Sequence, residues 1–71
     1  MKVDARLKLA KRIKSLREKR GCTQEKLAEL TGLDYKYVQK IEGKNPPAIR
    51  IDTIEKLAKA FKTTCSKLLD F

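Results

Sequence analysis

The 71 residues include 18 Lys and Arg against 9 Asp and Glu, a net charge of +9, with 41% hydrophobic residues and no histidine. That length allows a single core, so the whole chain, 1–71, is expected to form one domain. With only Cys22 and Cys65 and no CxxC pair, a disulfide framework, a metal site and a cofactor are not expected. No leading or internal apolar run approaches a signal or membrane span, which points to a cytoplasmic protein with no membrane contact.

The apolar spacing is helical throughout and is broken only by short marks at Gly21, Gly32 and Gly43 to Pro47. A first helix is expected from about Asp4 to Lys19. Asp4 is its cap, Leu9, Ile13 and Leu16 share one face, and Gly21 is a left-handed stop. A second helix follows Thr23 and covers Gln24 to Leu30 or Thr31, with Leu27, Ala28 and Leu30 as its apolar positions. Gly32 permits a sharp change of direction, Leu33 plugs the turn, and Asp34 caps a third helix from Tyr35 to Glu42 that points Val38 and Ile41 inward.

Pro46-Pro47 then forbids helix, so residues 43–49 read as a loop. A fourth helix begins near Arg50 to Asp52, where Asp52-Thr-Ile-Glu55 has capping-box spacing. Ile51, Ile54, Leu57, Ala58 and Phe61 form its buried stripe. Thr64 caps a short fifth helix from Cys65 to about Leu69. The expected fold class is therefore all-α, a compact five-helix bundle.

The positive charge is uneven. Residues 1–20 carry +7, residues 21–42 carry −1, and the remainder carry +3. An excess of this size suits a polyanionic partner, nucleic acid being the usual one. The −1 segment holds the informative pattern. Two helices crossing through a tight turn need a small residue at the crossing, a residue tolerant of positive φ at the turn, and apolar anchors three apart. Ala28, Gly32, and the pair Val38 and Ile41 meet those needs. Tyr35, Lys36, Gln39 and Lys40 are left on the outer face of the third helix. Residues 24–42 thus form a helix-turn-helix unit.

From about Leu9 to Leu69 the chain resembles the Cro/C1-type (XRE-like) helix-turn-helix domains of phage repressors, restriction-modification controllers and antitoxins. The resemblance lies in Arg12-Ile-Lys-Ser-Leu-Arg-Glu-Lys-Arg-Gly, Thr23-Gln-Glu-Lys-Leu-Ala, Tyr37-Val-Gln-Lys-Ile-Glu and Lys56-Leu-Ala-Lys-Ala-Phe. It implies a lambda-repressor-like bundle that binds double-stranded DNA. It places Tyr35, Lys36, Gln39 and Lys40 at base edges of the major groove. Thr23, Gln24, Tyr37, Lys44 and Asn45 are placed at backbone phosphates, and Arg17 and Glu42 in a buried ion pair. Lys36 and Lys40 suit guanine, Gln39 adenine, and Tyr35 a thymine methyl. The chain departs from the family pattern in three ways. The loop after the third helix is one residue longer, Lys26 stands where a glutamate is common, and Cys22 and Cys65 replace leucine-like residues as small buried hydrophobes.

One helix reads only about four base pairs, too few against ~10⁶ competing sites. A homodimer on a near-palindromic operator is therefore expected, with Leu68, Leu69 and Phe71 of the C-terminal helix as its candidate face. The leading reading is a transcriptional regulator, a repressor. The alternative is an antitoxin or adaptor whose main contact is a protein. Nothing in the sequence points to an enzyme.

Overall fold

The computed structural model describes residues 4–71; Met1 to Val3, including Lys2 and the start of the expected 1–71 domain, lie outside the described residues. Five helices follow one another: α1 (Ala5–Lys19), α2 (Gln24–Thr31), α3 (Tyr35–Ile41), α4 (Ile51–Ala60) and α5 (Cys65–Leu68). No strand occurs among the described residues.

Capping sets most of these boundaries. Asp4, Thr23, Asp34 and Thr64 adopt extended backbone, and each side chain accepts a hydrogen bond from a first-turn amide of the helix that follows. The C-terminus of α1 closes with paired bonds from Cys22 N to Arg17 O (3.1 Å) and from Gly21 N to Glu18 O (3.0 Å), with Gly21 at φ +63°. The same arrangement closes α4, from Thr63 N to Ala58 O (2.9 Å) and from Lys62 N to Lys59 O (3.0 Å). There the left-handed position is held by Lys62, at φ +53°.

Every helix gives at least one side chain to the core: Ile13, Leu27, Val38 and Ile41, Leu57, and Leu68, with Phe61 at the end of α4. Burying each large apolar side chain contributes about 1.5–3 kcal/mol. Pro46 is also buried and Pro47 half-buried, so the proline loop lies against the protein.

Five expectations are corrected. Ile51 is 65% exposed instead of lying in the stripe of α4, because it is the first residue of the helix and overhangs the core. The capping box at Asp52 to Glu55 does not form: Arg50 is the N-cap and has no side-chain cap bond, and Asp52 already lies inside the helix. Leu30 is 55% exposed, on the wall of an open hollow shared with Ala60 and Phe61. The third helix stops at Ile41, with Glu42 as its C-cap. Leu68 is fully buried, packing in the core rather than on a dimer face, and only Leu69 and Phe71 of that trio are exposed. Cys22 and Cys65 are free thiols, half-buried against the core's edge.

Candidate nucleic-acid interface

The turn between α2 and α3 is built from three small devices. Ala28 is buried in α2, where its methyl group leaves room for the neighbouring helix. Gly32, at φ +74°, reverses the chain direction at no steric cost. The Thr31 hydroxyl donates to Leu27 O (2.8 Å), and its oxygen accepts from Leu33 N (3.3 Å), fastening the turn to the last loop of α2. Val38 and Ile41 are both fully buried and fix the rotation of α3 about its axis.

That rotation leaves Tyr35, Lys36, Gln39 and Lys40 exposed together on the outer face. Tyr35 and Gln39 lie one turn apart, and the Gln39 amide donates to the Tyr35 hydroxyl at 3.2 Å. The bond holds both side chains on one line along the helix. It leaves the Gln39 carbonyl and one N–H available, which is the donor–acceptor pair that adenine's major-groove edge requires.

A second network joins the unit to α1. Arg17 grips Glu42 with two parallel bonds, from Nε to Oε2 (2.8 Å) and from Nη2 to Oε1 (3.0 Å), and its Nη1 donates to Cys22 O (2.7 Å). The two side chains are only 12% and 2% exposed. Donating to the Glu42 carboxylate raises the Arg17 guanidinium pKa above its ordinary value, so Arg17 keeps its charge. Gln24 Nε2 also donates to Glu42 Oε1, at 3.1 Å. The Glu42 carboxylate therefore ties α1 and the first residue of α2 to the end of α3, and Arg17 extends the network to the α1–α2 turn.

The remaining sequence-predicted contact residues surround this network. Thr23 is exposed at the head of α2, its hydroxyl oxygen accepting from Lys26 N at 3.0 Å; that half of the cap persists although Lys26 stands where a glutamate could have completed a box. Lys44 and Asn45 are exposed just past α3. Tyr37 is half-buried, packed against the core and partly open to solvent. Sequence reasoning did not pair Gln24 with Glu42, since the two are 18 residues apart. It also left out Lys11 and Lys14, which open onto a hollow shared with Glu42, Gly43 and Lys44. Among the described residues, no group of His, Cys, Asp or Glu is placed to hold a metal ion, and no helix is long and apolar enough to cross a membrane.

The helix-turn-helix family model matches residues 13–68, which includes both networks. The chain belongs to the Cro/C1-type helix-turn-helix family of DNA-binding regulators. Solved structures of this family superpose closely on it. A hypothetical transcription factor, NHTF from Neisseria, is 38% identical with a TM-score of 0.83, over 90% of this chain and 71% of that one. The restriction-modification controller protein C.AhdI from Aeromonas hydrophila is 35% identical with a TM-score of 0.82, over 89% of this chain and 94% of that one. The C.Esp1396I chain of a nucleoprotein complex is 26% identical with a TM-score of 0.80, over 99% of both chains. A comparison with curated proteins returns no match.

Proposed function

We propose that this helix-turn-helix protein is a cytoplasmic transcriptional repressor, binding a near-palindromic operator as a homodimer and covering the promoter. The observation that carries this reading is the outer face of α3. Four side chains able to hydrogen-bond, two of them cationic, stand exposed on a helix whose opposite side is locked by two fully buried residues. A rigid helix presenting Tyr35, Lys36, Gln39 and Lys40 suits the major groove, where each good base contact contributes about 1–3 kcal/mol of discrimination.

In this reading Thr23 and Gln24 offer the N-terminus of α2 to one phosphate. Glu42 aims the Gln24 amide, and the amide's second N–H remains available for the contact. Tyr37, in the first turn of α3, and Lys44 and Asn45, just past its end, hold the backbone and so set the register. The likeness to restriction-modification controllers supports a regulator over an antitoxin. The dimer surface is assigned to the exposed Leu69 and Phe71.

Selection from random duplexes tests the proposal. The wild type is expected to enrich a two-fold symmetric sequence. Lys40→Ala should relax one or two positions in each half, and Gln24→Ala should weaken all sites about equally. Enrichment of no sequence by the wild type would overturn the reading.

A further inference from the structure

Apart from Arg17, the helix-turn-helix geometry leaves the basic residues of the most positive stretch, +7 over residues 1–20, without a role. The structure gives part of it a place. Lys11 and Lys14 are three apart on α1 and so share one of its faces. Together with Leu7, Ala10, Glu42, Gly43 and Lys44 they line an open hollow of about 380 Å³. Glu42 is the only acidic residue in that lining, and both its oxygens already accept bonds from Arg17 and Gln24. None of the three lysines takes part in an ion pair among the described residues. Three lysine side chains therefore border one concavity, and none of them is paired with an anion of the protein's own.

We propose that Lys11, Lys14 and Lys44 form a phosphate subsite that extends the DNA contact beyond the recognition helix onto α1. This deepens the reading of the chain as a DNA-binding regulator and rests on it. The hollow borders the C-terminal end of α3, through Glu42 and Gly43, and Lys44 is its rim. A duplex read by the outer face of α3 passes its backbone by that end, so that successive phosphates come within reach of Lys44 and then of Lys11 and Lys14. Lysine suits this task as a mobile point charge that carries no sequence information. The subsite adds affinity and steepens the salt dependence while leaving base preference unchanged.

The test compares the full chain with Lys11→Gln/Lys14→Gln and with a charge-matched control, Lys56→Gln/Lys59→Gln on the exposed face of α4. Each is titrated with the selected duplex and with a random one across a salt series. The hollow variant should lose about 1.8 from the slope of log K against log [salt], at about 0.9 per phosphate contact, with its ratio between the two duplexes unchanged. The control should lose less than about a third of that. Equal losses in the two variants would show a general field and overturn the subsite, as would no loss in the hollow variant. The random-duplex arm decides this even where the wild type shows no sequence preference, a result that counts against the specific-regulator reading alone. If the double variant fails to fold, the single variants stand in for it, each expected to lose about 0.9.

Discussion

Gln24 donates a hydrogen bond to Glu42 across the helix-turn-helix, joining the first residue of α2 to the C-cap of α3. The residue proposed to orient the protein on phosphate is thus mechanically coupled to the end of the reading helix. Gln24→Ala should weaken binding to all duplexes alike and cost about 1.5–3 kcal/mol of stability, the range for a hydrogen bond to a charged group. Gln24→Glu should do worse on both counts, since it sets a second carboxylate against Glu42 and faces the DNA with a negative charge. Paired denaturant melts and DNA titrations check this; equal stability of Gln24→Glu and wild type would contradict it.

Arg17→Met should cost about 3–5 kcal/mol, because it strands a carboxylate that is 2% exposed. A chain of 71 residues has a total stability of about 4–11 kcal/mol, so this single change removes a large fraction of it. The double variant Arg17→Met/Glu42→Leu should recover most of the loss, since no unpaired charge remains. Urea denaturation of all three proteins decides the matter.

Lys62→Gly should stabilise the protein. Lys62 and Gly21 hold the same left-handed position in the same type of helix ending, and only Gly21 does so without a Cβ penalty. Relief of that strain, offset by the greater freedom of glycine in the unfolded chain, leaves a gain of about 0.5–1 kcal/mol, or ~2–8 °C in Tm. Calorimetry reads it directly.

The C-terminal residues separate core from surface. Leu68→Ala should cost about 2–5 kcal/mol by opening a cavity beside Phe61 and Leu57, whatever the assembly state. Phe71→Ser should leave monomer stability within about 0.5 kcal/mol of wild type while weakening self-association. Sedimentation with and without duplex distinguishes the two effects.

Much of the fold is legible in the sequence because its punctuation is local. Asp4, Thr23, Asp34 and Thr64 act as caps through amides two or three residues away, and Gly21 and Gly32 make their turns through their own φ. Features fixed by packing across the molecule are not legible. Ile51 and Leu30 fit helical apolar spacing, yet both remain more than half exposed. Leu68 and Leu69 are adjacent and chemically identical, and only the seating of α5 decides which is buried. Asp52-Thr-Ile-Glu55 satisfies the capping-box spacing, but the helix begins two residues earlier than that box requires, at Ile51 with Arg50 as its N-cap. The outer face of α3 follows from spacing alone. The Gln24–Glu42 bond and the lysine hollow require α1, α2 and α3 to be in place first.

The central claim is that Tyr35, Lys36, Gln39 and Lys40 read the base sequence while the rest of the interface holds the backbone. The most direct measurement is the ratio of Kd for a scrambled duplex to Kd for the selected one, in the wild type and in Gln39→Ala/Lys40→Ala. The ratio should collapse by about 30- to 20,000-fold, two contacts at about 1–3 kcal/mol each, while scrambled-duplex affinity falls by no more than about tenfold. A variant that keeps the wild-type ratio would contradict it.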